Sequence, residues 1–165
     1  METPQAGRKV ECDPTKGLLS HPSSSTLSGP SGNLREATMS QATTCFEAGG
    51  VTYRIPALLY IPGDDTFLAF AEKRSSARDE DAKYLVLRRG RLHGSSVKWG
   101  PVEELSALVL PGRRTMNPCP LYDARSSTIF LFCICVERGK TERRQIWRGC
   151  SAVRLCYTTS TDSGR

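Results

Sequence analysis

Short hydrophobic runs, separated by glycine, proline and aspartate, occupy most of the chain from residue 49 onward. The first two runs, Ala57–Ile61 and Thr66–Glu72, flank the turn-forming residues Pro62–Asp65. Two strand-like runs around a turn of this composition predict a β-hairpin. A hairpin brings the outer ends of its two strands together, so residues at those ends are expected to share one rim.

The residues at this rim carry charge. Pro56 fixes its own φ and is expected to keep Ile55 extended, which would place Arg54 on a rigid strand. A rigid arginine suits bidentate capture of a carboxylate or phosphate. The second strand ends near Glu72, Arg74 and Asp79. An aspartate in a basic cleft can act as a general acid if burial raises its pKa. The residues alone leave open that these are solvated surface charges.

The remaining runs predict an all-β fold. Strands are expected at Tyr84–Leu87, Val97–Trp99, Cys119–Tyr122, Thr128–Val136 and Ala152–Thr159. The first of these is expected to end at the basic group before Gly90, and the second before Gly100–Pro101. Glu103–Leu110 fits either a helical turn or a strand, and Glu137–Gly149 is expected to be a polar excursion. Short strands at regular spacing are typical of sandwiches and propellers, and a last strand without a return partner indicates part of a larger closed architecture.

The first 48 residues differ in composition from the rest. They are polar and rich in helix and strand breakers, and Ser20–Gly32 is typical of a disordered linker. Residues 1–48 are therefore predicted to be a disordered extension, and residues 49–165 the folded part. No continuous apolar segment typical of a signal peptide is visible, and the longest apolar run, Ile129–Val136, is far shorter than the ~20 residues of a membrane helix. Any membrane association is expected to be peripheral.

The formal net charge of +6 is compatible with an anionic partner. The arginines of the chain fall in short groups such as Arg113–Arg114. From composition alone, these arginines are expected to be solvated surface charges. No aromatic and basic platform for nucleic acid is present, so nucleic-acid binding is not expected. The seven cysteines include no CxxC pair. Cys133 and Cys135 lie in an apolar run and are expected to be buried, reduced thiols and not metal ligands.

Several motifs occur in the same order as in a known family. They are YRIPAL at Tyr53–Leu58, LAFAEKR at Leu68–Arg74, RDEDA at Arg78–Ala82, TMNPCPLY at Thr115–Tyr122, TER at Thr141–Arg143 and RLC at Arg154–Cys156. Together they resemble the N-terminal part of the vertebrate sialidases (exo-α-neuraminidases), and most closely the membrane-associated ganglioside sialidases. Ser160, Asp162 and Gly164 resemble the start of an Asp box, a turn motif of sialidase blades. The resemblance covers about residues 45–165.

The resemblance implies a six-bladed β-propeller, of which this chain supplies about two blades at about 40–50 residues each. It implies that Asp79 is the catalytic acid/base and that Arg54 is one of three arginines that hold the carboxylate of sialic acid. Glu72 and Arg74 would contact the sugar ring, Met116 the N-acetyl group, and Glu142 the glycerol tail. No cofactor or metal is implied, and the expected partners are sialylated glycolipids and glycoproteins. The location would be a membrane periphery or the cytoplasm.

The family reaction is retaining hydrolysis with a tyrosine nucleophile. That tyrosine, the glutamate that activates it and the other two carboxylate-binding arginines lie beyond residue 165 in the family pattern, and Tyr157 does not match the nucleophile by position. The 165-residue chain is therefore expected to be catalytically inactive by itself. The alternative function is that of a non-catalytic truncated product that binds sialosides or a partner.

Overall fold

A computed structural model of the chain describes residues 45–46 and 49–162. The described part contains two antiparallel sheets, one of four strands and one of three, and in each sheet neighbouring strands follow one another in sequence. Nearly all of the predicted disordered extension, including Ser20–Gly32, lies outside the described residues, as does Gly164 of the Asp-box motif.

The first sheet holds the predicted hairpin. Its strands are β1 (Thr52–Ile61), β2 (Thr66–Arg74), β3 (Ala82–His93) and β4 (Ser96–Glu104). The second sheet consists of β5 (Arg113–Asp123), β6 (Thr128–Glu137) and β7 (Val153–Ser160). Single turns of 3-10 helix occupy Pro62–Asp64, Asp79–Asp81 and Ser106–Leu108. Both predicted hairpins, β1–β2 and β5–β6, are confirmed.

The predicted ends of two strands, at Gly90 and at Gly100–Pro101, are wrong. Gly90 lies inside a strand where neighbouring side chains pack closely, and Gly100 lies in a β-bulge. β3 continues through Gly90, where an added Cβ would lie 2.5 Å from Val97 Cγ1 on the neighbouring strand. β4 continues through Gly100–Pro101, since a β-bulge places these two residues opposite a single residue of β3. The ambiguous segment Glu103–Leu110 divides into the end of β4 and a 3-10 turn.

The polar excursion over Glu137–Gly149 contains a helix that was not predicted, α1 (Glu142–Arg148). Thr141 Oγ1 caps the helix by accepting the N–H of Arg144 at 3.2 Å. Gly149, with a φ of 62°, ends it in the left-handed conformation. None of the helical residues is buried. The helix therefore depends on local hydrogen bonds and shows no apolar periodicity by which its sequence could reveal it.

The main core lies between the two sheets. Its buried members are Ile61, Leu68, Phe70, Leu85 and Leu87 from the first sheet and Ile129 and Leu131 from the second. Strand β5 packs against β1, β2 and β3. Cys135 is a buried free thiol, as predicted, whereas Cys133 is only half-buried. The all-β prediction is confirmed, and the two adjacent sheets form a partial propeller of about two blades.

Candidate functional site

The first strand of each sheet contains the same irregularity. In β1 a β-bulge separates Arg54 from Ala57, and in β5 one separates Met116 from Cys119. The residue before the bulge proline has a positive φ in both, 52° at Ile55 and 54° at Asn117. The prediction that Ile55 is extended is therefore wrong, because the bulge adds one residue to β1 and places Ile55 in the left-handed region.

A positive φ is tolerated by asparagine but costs a β-branched residue such as isoleucine about 1–2 kcal/mol. Replacing Ile55 with asparagine is therefore expected to raise the free energy of unfolding by about 1 kcal/mol. Urea denaturation measures the change, and Ile55→Val, which retains the branched Cβ, is the matched control. Equal effects of the two substitutions would show that Ile55 is not strained.

A buried ion-pair network lies at the end of β2. Glu72 and Arg74 are two residues apart on one strand face, as predicted, and Arg74 Nε donates to Glu72 Oε2 at 2.7 Å. Arg74 Nη1 donates to Asp79 Oδ1 at 2.5 Å. The second oxygen of Glu72 accepts the backbone N–H of Asn117 at 2.7 Å, which joins the network to the bulge of β5. The network thus connects the two sheets.

Arg74 links a buried carboxylate to an accessible one. The Arg74 and Glu72 side chains are 1% and 0% exposed, whereas the Asp79 side chain is 53% exposed. Burial opposes the charge of Arg74, but the hydrogen bonds that Arg74 donates to Glu72 and then to Asp79 outweigh it, so the pKa of Arg74 is raised. The network fixes the Asp79 carboxylate. The prediction that Asp79 acts as a general acid assumed that its side chain is buried, and the described residues leave that side chain half-exposed.

Asp79 borders a cavity of about 520 Å³ between the end of β2, the second sheet and helix α1. Its lining includes Arg74, Asp79, Arg114, Met116, Glu142 and Gln145. Cavities of this size commonly hold small ligands. In the described part of the chain no group of three histidine, cysteine or acidic residues could hold a metal ion. The cavity therefore offers arginine, carboxylate and apolar contacts to a ligand of sugar size.

Curated proteins from mammals match this chain. Human Sialidase-3 is 54% identical over 135 residues, which is 76% of this chain and 32% of the human protein. Mouse Sialidase-3 is 58% identical over 118 residues, with coverage of 72% and 28%, and rat Sialidase-2 is 48% identical over 126 residues, with coverage of 75% and 33%. No family model matches the chain.

This chain belongs to the vertebrate sialidase family. It spans about a third of the length of the curated sialidases it matches. The identity confirms the family that the ordered motifs predicted.

Four of the predicted site residues line the cavity: Arg74, Asp79, Met116 and Glu142. Glu72 lies beside it as the buried partner of Arg74. Arg54 is exposed, and its Nη1 donates to the carbonyl of Ala77 at 3.0 Å, an oxygen that Arg74 Nη1 also approaches at 3.4 Å. The structure therefore brings the predicted residues to one region, with Arg54 next to the cavity lining.

Arg114 is a cavity residue that sequence reasoning missed. It was expected to be a solvated charge, but only 3% of it is exposed. Its two Nη atoms donate to the carbonyls of Glu137 at 3.1 Å and Lys140 at 2.9 Å, at the turn before α1. Burial, opposed by the charges of Glu80 and Asp79, lowers the pKa of its guanidinium. A usable signal was its position two residues before Met116 on the same strand face.

Asn117 and Gln145 also line the cavity and were not predicted as site residues. Asn117 occupies the place in β5 that Ile55 occupies in β1. The pairs Ile55–Pro56 and Asn117–Pro118 therefore gave a signal in the sequence for Asn117.

In the Asp-box motif, Ser160 Oγ donates to Asp162 Oδ1 at 2.5 Å. Among the described helices, none is long and apolar enough to cross a bilayer.

Proposed function

We propose that this chain forms part of an exo-α-sialidase that releases terminal sialic acid from glycoconjugates. The observation that carries the proposal is the hydrogen bond from buried Arg74 to Asp79 at the rim of the cavity. It holds a partly accessible carboxylate beside a permanent cation. A carboxyl group in that position can exchange a proton with the glycosidic oxygen of an anionic sugar bound next to it.

The other cavity residues have roles that fit the same substrate. Arg54 supplies a cationic group for the carboxylate of sialic acid, which guanidinium groups bind well. Arg74, which lines the cavity, contacts the sugar ring. Met116 offers an apolar surface to the methyl of the N-acetyl group. Glu142, at the start of α1, accepts hydrogen bonds from the hydroxyls of the glycerol tail. Glu72, which is fully buried, orients Arg74 by accepting its hydrogen bond.

In the proposed retaining reaction the bond between the anomeric carbon and the glycosidic oxygen breaks, the proton of Asp79 passes to that leaving oxygen, and a tyrosinate oxygen bonds to the anomeric carbon. Water then attacks the same carbon, its hydroxyl group displaces the tyrosinate, and its proton passes to Asp79. A tyrosine suits this role because a carboxylate would be repelled by the substrate's own carboxylate. No tyrosine lines the cavity among the described residues. We therefore propose that residues 1–165 alone do not catalyse turnover.

The second candidate function, binding of sialosides without hydrolysis, follows from the same observation. A cavity with arginines but no nucleophile can hold the sugar without cleaving it. For the natural substrates we propose gangliosides and other sialoglycoconjugates, and for the location a membrane periphery or the cytoplasm. These proposals are supported by the motifs AFAEKR at residues 69–74 and RDEDA at residues 78–82 and by the similarity to Sialidase-3.

Hydrolysis of a fluorogenic sialoside tests the proposal in two preparations. The first is the purified 165-residue chain, which is expected to show no turnover. The second is a chimera in which the 135-residue stretch matched in human Sialidase-3 is replaced by the corresponding stretch of this chain, and it is expected to hydrolyse the substrate. A folded but inactive chimera would count against sialidase function. Turnover by the chain alone, abolished by Asp79→Asn, would show that its site is complete.

A further inference from the structure

A second cavity adjoins the first beside helix α1 and the start of β7, where both are lined by Gln145, Cys150, Ser151 and Val153. Its volume is about 390 Å³, and five basic residues contribute to its lining: Arg113, Lys140, Arg144, Arg148 and Arg154. Glu137 is the single acidic residue of the lining. We refer to this cavity as the basic groove.

Strand alternation places the arginines that β5 and β7 contribute to the basic groove on the other face of the sheet from the β5 residues that line the cavity beside Asp79, which we refer to as the sialidase cavity. Arg114, Met116 and Val136, which line the sialidase cavity, share one face of the sheet. Arg113 pairs with Glu137 and Arg154 with Cys135 in the strand register, which places Arg113 and Arg154 on the other face. None of the five cations lines the sialidase cavity, although the two cavities adjoin.

The charges of the basic groove are not balanced by acidic partners. Among the described residues, none of the five cations forms an ion pair. Arg144 and Arg148 are four residues apart on α1, a spacing at which like charges repel and destabilise a helix. Repulsion of this kind is relieved when an anion binds between the charges.

The groove is held in shape by hydrogen bonds. Gln145 Oε1 accepts the N–H of Ala152 at 2.6 Å, and the carbonyl of Gln145 accepts the N–H of Cys150 at 3.1 Å. Arg113 Nη1 reaches across to the carbonyl of Ala152 at 3.4 Å. These bonds attach α1 to the segment before β7, so the cations on the helix and those on the sheet keep a fixed spacing. A preorganised site loses less entropy on binding.

We propose that the basic groove binds a small phosphate ester that carries several negative charges. Guanidinium groups bind phosphate oxygens bidentately, and five cations against one carboxylate favour more than one negative charge on the ligand. The volume suits a compact ligand. The described lining contains no aromatic side chain on which a nucleic-acid base could stack. The phosphate can belong to a soluble ester or to a lipid headgroup.

Titration of the 165-residue chain with inorganic tripolyphosphate tests the proposal. Calorimetry is expected to show one binding site. Trp147, 81% exposed between Arg144 and Arg148 on α1, is expected to change its fluorescence in parallel. The double variant Arg144→Glu/Arg148→Glu is expected to weaken binding about 100-fold, or about tenfold per arginine, because each loses charge-assisted hydrogen bonds.

The matched control is Arg91→Glu/Lys98→Glu, which makes the same change in net charge at an exposed cross-strand pair in the first sheet. It is expected to leave the affinity within about twofold of the parent. Equal weakening by the two double variants would overturn the proposal, since binding would then depend on overall charge alone. Absence of saturable binding would overturn it too.

Two further measurements separate the basic groove from helix α1 alone and from the sialidase cavity. Arg144→Glu/Arg148→Glu could weaken binding by unfolding α1. Arg113→Gln/Arg154→Gln leaves α1 unchanged, removes the two cations on the sheet, and is also expected to weaken binding. Unchanged affinity in this variant would overturn the proposal. Free sialic acid is expected not to displace tripolyphosphate, and displacement would place the anion in the sialidase cavity and overturn the proposal.

The source of the phosphate is distinguished with vesicles of phosphatidylcholine, with and without phosphatidic acid. Binding to tripolyphosphate alone supports a soluble ester. Binding also to the vesicles that contain phosphatidic acid, lost in Arg144→Glu/Arg148→Glu, supports a lipid headgroup. Failure to bind either phosphate probe contradicts the proposal, whatever the outcome of sialoside hydrolysis.

Discussion

Replacing Asp79 with asparagine in the active chimera is expected to lower kcat for a natural sialoside by about 10²–10⁴-fold. Asparagine preserves the size of the side chain and can still accept a hydrogen bond from Arg74, but it cannot donate a carboxyl proton to the leaving oxygen. The loss is expected to be smaller for an aryl sialoside, because a phenolate leaves without full protonation. Steady-state kinetics with both substrates measures the difference.

Glu80→Gln is the matched control for this experiment. Glu80 lies next to Asp79 on the same 3-10 turn and pairs with Arg78 on the surface. Its replacement is expected to leave kcat close to that of the parent chimera. Equal losses with the natural and the aryl sialoside in Asp79→Asn would argue that Asp79 positions the substrate and is not the proton donor.

Replacing Glu72 with glutamine is expected to lower the free energy of unfolding of the chain by about 3–5 kcal/mol. Glu72 is fully buried and is the main partner of Arg74, whose side chain is 1% exposed. Glutamine can still accept the N–H of Asn117, but it leaves the guanidinium charge buried beside a neutral group. Among the described residues, Arg74 would keep Asp79, a half-exposed carboxylate, as its one ionic partner. Urea denaturation at neutral pH measures the change.

The matched control is Glu104→Gln, which removes a carboxylate from the surface pair of Lys73 and Glu104 in the same sheet. Both of these side chains are accessible to water, so the free energy of unfolding is expected to change little. A similar cost at Glu72 and Glu104 would show that loss of the buried Glu72–Arg74 pair is no more costly than loss of a surface pair.

The hairpins and the chemistry at their rim were predictable because their signals are local. Turn residues at Pro62–Asp65 set the first hairpin, and Glu72 and Arg74 share a face because strand side chains alternate. Helix α1 was not predictable in the same way. It is held by the Thr141 cap and by Gln145 bonded to Ala152, and these contacts leave no apolar period in the sequence.

The sequence by itself determined the family, the all-β class and the residues that carry the proposed chemistry, since ordered motifs and strand alternation depend only on residue type and spacing. Only the tertiary structure decided how these residues meet. Packing of β5 against the first sheet brings the N–H of Asn117 to Glu72 and buries Arg114, which composition favoured as a solvated charge. The bulge that gives Ile55 a positive φ depends on pairing with β2. Burial and pairing arise between segments distant in the chain, so no local pattern records them.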